Sequence, residues 1–389
     1  MVGRLTPTHR PAALVAILLV TLVAGCVPPA FAREVQGGAA AAPAPAAATP
    51  RPTPIVRRSP APTLTQMVGQ KLVVAMDGTT PSASLLQRIR LGQVGGVILF
   101  GRNITTATAL KALTKRLRDE AIAGGQPPLL IAVDQEGGSI QRIPWAPPTL
   151  SPPQMGADGR ASTARSQGAA TGAALAGLGI NVDLAPVADV PASPSSFLYK
   201  QGRTFSFSAS TTATLADAFA AGLESAGVVP AMKHFPGLGL ATQNTDTSVV
   251  TINASTATLA PGLTPYEAAI GHGLSLVMLS NATYAAYDAN NAASWSSAVS
   301  AGLLRTDLGF RGVTITDSLD GTAHARGVTS ASLALRSARA GTDLILLTGS
   351  EATSQAVFDS LYDAARTGSI VRSTLEASYA RIHALKAGL

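Results

Sequence analysis

"GVTITD", residues 312–317, is a glycine, four strand-forming residues and then a carboxylate. β-Branched side chains suit a pleated strand, and a short apolar run bounded by turn residues has the length of a strand rather than a helix. The pattern recurs along the chain. "KLVVAM" (71–76), "VGGVILF" (94–100), "LLIAVD" (129–134), "INVDLAPV" (180–187), "VVPAMKHF" (228–235), "LSLVMLS" (274–280) and "TDLILLT" (342–348) bring the number of such runs to eight. Between them lie stretches of helical character such as "SLLQRIRLG", "TALKALTKRLRDEAIAGG", "STARSQGAATGAALAGLG", "TTATLADAFAAGLESAG" and "SLALRSARAG". Several of these end in Gly just before the next strand, where a helix C-terminus favours left-handed backbone.

Continuous rather than alternating apolar strands indicate parallel strands covered on both faces. Eight β-then-α units therefore predict an α/β chain folded as one (β/α)8 TIM-type barrel over residues 64–389. A doubly wound open sheet is the alternative, but no Gly-rich dinucleotide fingerprint follows the first strand. Active sites of the barrel fold sit at the C-terminal ends of the strands. Asp77, Asp134, Asp183, Lys233, His234, Asn281 and Asp317 fall at or just past such ends, and the set is expected to converge on one mouth. Any one of them alone could be a loop cap.

The residues before the barrel read differently. Residues 1–26 are a secretory signal: two arginines, the apolar run "AALVAILLVTLVAG", then Cys26, too short for a comfortable membrane span. "LVAGC" has the form of a lipobox, which predicts lipidation of Cys26 and a membrane anchor. "AFA" (30–32) is a competing cleavage site that would release a secreted protein. Residues 27–63 are rich in Ala and Pro without apolar periodicity, as a semi-rigid tether would be. Cys26 is the sole cysteine, which leaves the body without a disulfide, a thiolate metal cluster or a Cys nucleophile. The formal charge of +7 is mostly N-terminal, because residues 1–63 hold six Lys/Arg against one Asp/Glu. The barrel itself is near neutral and gives no case for nucleic-acid binding.

No His/Asp/Glu spacing suggests a metal site, and neither a nucleophile elbow nor a phosphate loop is present, so no metal or cofactor is expected. Carboxylates, a Lys-His pair and arginines around a polar cleft suit a polyhydroxylated neutral ligand, whose hydroxyls need both acceptors and donors. A carboxylate held at a strand end can also attack an anomeric carbon or stabilise the charge that develops there.

"VDQEGGSIQRI" (133–143), "GRTFS" (202–206), "KHFPG" (233–237), "LTPYEAAI" (263–270) and "LGFRGVTITDSL" (308–319), in that order, resemble the single-barrel β-N-acetylhexosaminidase branch of glycoside hydrolase family three. The resemblance runs from about Leu64 to the C-terminus. It implies a retaining glycosidase with Asp317 as nucleophile. It further implies that Asp134, Arg142, Arg203, Lys233 and His234 hold the sugar; Glu136 and Glu267 also sit in these motifs, but read as loop and helix structure. It also implies terminal N-acetylglucosamine as the sugar, and an exported, tethered enzyme would meet peptidoglycan fragments.

The chain departs from that branch at the acid/base. Its loop after "KHFPG" usually continues with His-Gly and closes on Asp-Ser-His, whose last histidine shuttles the proton. Here Leu238 stands at the first position, the loop is longer by about two residues, and it ends Asp246-Thr247-Ser248. A serine hydroxyl titrates far above the range in which imidazole works. The His often found after strand six corresponds to Asn281. The residues after Thr348 suit one helix and a tail, which leaves the barrel loops or a partner to supply an acid. Asp246 is then read as the acid/base itself, or His324 as a group that swings in. Two further readings are an acid-independent reaction, with a good leaving group or an anionic acceptor such as phosphate, and a cell-wall lipoprotein that binds sugar without cleaving it. Of the two tryptophans, Trp145 could flank the sugar and Trp295 reads as packing at a helix start.

Overall fold

The computed structural model describes residues 61–389; the signal sequence, Cys26 and nearly all of the tether lie outside the described residues. All eight expected strands form: β1 (Leu72–Ala75), β2 (Gly96–Leu99), β3 (Leu130–Val133), β4 (Val182–Asp183), β5 (Val229–Phe235), β6 (Leu276–Leu279), β7 (Val313–Thr316) and β8 (Ile345–Leu347). They pair in parallel and in sequence order, with β8 returning to β1. A parallel bridge between Ile315 and Leu344 joins β7 to β8 and closes the barrel. Closure excludes the doubly wound alternative.

The continuous apolar strands resolve into two alternating faces, both buried, because successive side chains point to opposite sides of a strand. Val73, Ala75, Ile98, Leu130, Ala132, Ala231, Met278 and Ile315 fill the barrel interior. Leu72, Val74, Val97, Leu99, Ile131, Val133, Met232 and Val277 belong to the larger core shared with the helices.

The main helices are α1 (Ala83–Arg90), α2 (Ala107–Ala123), α3 (Ala161–Gly177), α4 (Ala209–Ser225), α5 (Thr264–Gly271), α6 (Ala298–Asp307), α7 (Leu319–Ala325), α8 (Ser330–Arg339), α9 (Glu351–Arg366) and α10 (Arg372–Lys386). Ser82, Thr106, Ser208, Thr329 and Ser350 each accept a first-turn amide hydrogen, which satisfies a donor that the helix cannot.

The residues after β8 form two helices rather than one helix and a tail. The second, α10, contributes Ile382 to the barrel interior. Its Lys386 amine donates to Gln70 Oε1 and to the Gly95 carbonyl, both at 2.6 Å. Gln70 and Gly95 precede β1 and β2, so α10 plugs the N-terminal end and leaves the C-terminal end open.

Candidate active site

A pocket of about 260 Å³ opens at the C-terminal ends of the strands. Its floor is the top of the barrel interior (Ile98, Leu184, Met278, Leu346), and its walls include all seven of the expected catalytic and sugar-holding residues: Asp134, Arg142, Arg203, Lys233, His234, Asp246 and Asp317. The residues come from four different βα units, so only barrel closure brings them together.

Lys233, at the end of β5, is the hub of one wall. Its ammonium meets Asp134 Oδ1 at 2.8 Å and Glu136 Oε1 at 2.7 Å. Arg203 grips Glu136 through Nε at 2.8 Å and Nη2 at 2.7 Å, the two-pronged geometry that makes guanidinium–carboxylate pairs strong. Arg142 approaches Asp134 Oδ2 at 3.6 Å, and its buried Nε has no partner. Burial opposes ionisation of Glu136, but Arg203 and Lys233 outweigh it and hold the carboxyl down at about 2. Burial likewise works against the Lys233 ammonium, and Asp134 and Glu136 reverse the balance, raising it above the ordinary lysine value.

His234 is fixed from beneath. Its Nδ1 shares a 2.7 Å hydrogen bond with Asp189 Oδ2, and its backbone N–H donates to the same oxygen at 3.2 Å. Asp189 Oδ1 accepts the Leu238 amide, so one fully buried carboxylate orients the imidazole and starts the following loop.

That loop turns back across the mouth. Thr322 Oγ1, in α7, donates to the Thr245 carbonyl at 3.1 Å. At Gly321 an added Cβ would lie 2.9 Å from both Cβ and the carbonyl oxygen of Asp246. Since α7 directly follows Asp317 and Ser318, these contacts hold Asp246 beside the end of β7. The Asp246 amide is bonded to Asn244 Oδ1 at 3.0 Å, while its own Oδ1 is buried without a partner. Burial, and then the negative charge of Asp317, push the Asp246 carboxyl up to about 6, against the pull of His234 and Arg203. Asp317 itself follows β7; its Oδ1 accepts the Ser318 amide at 2.7 Å.

Several expectations are corrected. Asp77, Asp183 and Asn281 do not line the pocket. Asp77 is exposed and faces Glu351 across the β1–β8 seam. Asn281 is buried and donates to the Ser318 carbonyl at 2.7 Å and to Thr322 Oγ1 at 2.9 Å, so it secures α7. Asp183 is fully buried on the face of β4 opposite Leu184, which lines the floor. His324 sits exposed on α7, away from the lining. Trp145 is 51 % exposed and lines a separate shallow groove with Lys111, Ala146 and Pro147. Trp295 is buried, with the Arg326 guanidinium 5.0 Å from its ring centre, as packing demands.

Glu136 and Asp189 were missed as site residues. Glu136 in "DQEGG" reads as a turn residue, yet it is the shared counter-ion of Lys233 and Arg203. Asp189 in "APVADV" stands just past β4, and that position was its one available signal.

The family model described as glycosyl hydrolase family 3 N terminal domain matches residues 63–385. The chain is 32 % identical over 332 residues to an uncharacterized secreted glycosyl hydrolase of Arthroderma benhamiae, covering 84 % of this chain and 94 % of that one. It is 36 % identical over 259 residues to a beta-hexosaminidase of Nitrosomonas eutropha, covering 64 % and 72 %. Among solved structures, the beta-N-acetylhexosaminidase of Beutenbergia cavernae superposes with a TM-score of 0.78 at 32 % identity, covering 84 % of this chain and 99 % of that one.

Proposed function

The chain belongs to glycosyl hydrolase family 3, and from that premise we propose that it is an exported β-N-acetylhexosaminidase-type enzyme. It removes terminal β-linked amino sugars from short glycans, with Asp317 as nucleophile and Asp246 as acid/base. The names of its relatives support the sugar class, and the N-terminal leader together with a relative called secreted supports export. Asp134, Arg142, Arg203, Lys233 and His234 hold the sugar hydroxyls, and Glu136 keeps Lys233 and Arg203 in place.

In the first step Asp317 attacks the anomeric carbon with the oxygen not held by the Ser318 amide, and the bond to the leaving oxygen breaks as Asp246 gives up its proton. In the second step ionised Asp246 takes a proton from water, which displaces Asp317. One residue can serve both steps only if its pKa lies near the working pH. The observation that carries the reading is Asp246 itself: a half-buried carboxyl with one buried, unpartnered oxygen, in the same pocket as Asp317 and raised to about 6 by desolvation and by that neighbour.

The experiment compares purified wild type and Asp246→Ala on aryl N-acetyl-β-glucosaminides of good and poor leaving groups, with intact cells assayed in parallel for export. Activity of the wild type on poor leaving groups should fall as pH rises through about 6, where the acid loses its proton. Asp246→Ala should lose that limb and about a hundredfold or more on poor leaving groups, while activated substrates are largely spared. Azide should rescue the second step. Equal losses on both substrate types would make Asp246 structural. An inactive wild type that still binds N-acetylglucosamine would favour a sugar-binding protein.

A further inference from the structure

Asp183 ends β4 between Val182 and Leu184, which face the barrel interior, so its carboxyl lies on the opposite, helix-covered face of the strand and is fully buried. Its Oδ1 accepts the Gln135 amide hydrogen at 2.9 Å, and its Oδ2 has no partner. Gln135 is the residue that ties the third βα loop together. Its side-chain amide donates to the carbonyls of Ile143, Ala146 and Pro147, and its Oε1 accepts the Ile143 amide. That loop carries Glu136 and Arg142 into the pocket. Asp183 therefore fixes the first residue of the loop on which the sugar-holding wall is built.

The charged groups whose fields reach Asp183 belong to the two neighbouring βα units: Asp134 and Glu136 beside β3 disfavour a charge on it, and Lys233 on β5 favours one. Lys233 is already engaged by Asp134 and Glu136, at 2.8 and 2.7 Å. An ionised Asp183 would be a third anion around one ammonium, with a buried oxygen left unpaired. Such a charge is expensive to bury.

Resting on the proposed sugar-holding role of that wall, we propose that Asp183 is a positioning residue that acts as an uncharged acid, anchoring the third loop through Gln135 while leaving the bonds from Lys233 to Asp134 and Glu136 undisturbed. Burial, against the Gln135 amide and Lys233, pushes its carboxyl up to about 8. Above that pH the new anion competes for Lys233 and the grip on sugar loosens, so KM rises while kcat changes little. The folded state holds a proton that the unfolded chain, with an ordinary carboxyl near 3.8, has already released. Stability from this group is therefore full below that lower value and lost as pH rises through about 8.

Asp183→Asn keeps the hydrogen bond to Gln135 and cannot ionise. In the full-length protein it should retain the neutral-pH KM of the wild type on an aryl N-acetyl-β-glucosaminide and abolish the rise in KM above about pH 8. Asp183→Ala should raise KM about tenfold with little change in kcat. In thermal melts, the advantage of Asp183→Asn over wild type should grow from about pH 5 to about pH 8. The proposal is overturned if Asn raises KM as much as Ala does, or if the two melting curves stay parallel over that interval. A wild type without turnover would defeat the enzymatic reading alone, since the melting comparison would still decide whether Asp183 holds its proton.

Discussion

The barrel has a buried charge cluster at each end, and the two ends are finished differently. At the N-terminal end Asp343 uses both carboxylate oxygens. Oδ1 accepts from Ser378 Oγ at 2.9 Å and Arg381 Nη2 at 2.7 Å, and Oδ2 accepts from Arg305 Nη2 at 2.7 Å and the Thr314 amide at 3.0 Å. Lys71 beside it donates to the Thr342 carbonyl and to Ser378 Oγ. Helix α10 seals this end. At the C-terminal end the Lys233–Glu136–Arg203–Asp134 cluster borders open space, and Arg142 Nε, Asp183 Oδ2 and Asp246 Oδ1 nearby lack partners. Buried polar atoms without partners cost free energy and are rare. Those of Arg142 and Asp246 line the pocket and mark groups that a ligand or a transferred proton would satisfy, whereas both oxygens of Asp343 are engaged and its cluster serves stability.

Substitutions at the two ends should therefore separate chemistry from folding. The largest effect is expected at Asp317. Asp317→Asn removes the attacking oxygen and its charge, and should cost at least about a thousandfold in turnover, on the order of 4 kcal/mol of barrier. Calorimetry should find sugar affinity and melting behaviour largely intact. A variant keeping a tenth of wild-type turnover would exclude Asp317 as the nucleophile.

Asp343→Ala should do the reverse. It strands Arg305 and Arg381, which are mostly buried at 16 % and 27 % side-chain exposure, and should destabilise the fold by about 3 kcal/mol. Denaturant titration measures that loss, and the kcat of the folded fraction should stay at the wild-type level. A fall in kcat at unchanged stability would erase the distinction between the ends.

The smallest effect sharpens the comparison within the upper cluster. Lys233→Ala leaves Glu136 paired to Arg203 but removes a donor to the sugar, and should weaken N-acetylglucosamine binding by about 1–3 kcal/mol. Unchanged affinity by calorimetry would mean that the sugar is held elsewhere.

Much of this architecture was legible beforehand, for identifiable reasons. Strand runs such as "GVTITD" and "LLIAVD" carry their own length and composition signal, and eight of them in βα alternation leave few topologies. Position at a strand end then placed Asp134, Lys233, His234 and Asp317 at the mouth. The same signal misplaced Asp77 and Asn281. It reports which end of the barrel a residue occupies, and does not report which way the side chain turns or what it packs against. Glu136 was invisible for a related reason, since its meaning depends on Arg203, 67 residues further along the chain.

By itself, then, the sequence determined the barrel, the strand that presents Asp317, and the absence of a histidine from residues 238–248. Local propensity and apolar patterning act over a few residues, so they can be read without a structure. Only the tertiary structure decided that the 233–248 loop lies back against Gly321 and Thr322, with Asp246 half-buried near Asp317 and raised to about 6. A carboxyl's proton affinity is set by desolvation and by charges reached through space, and neither exists until the chain has closed around it.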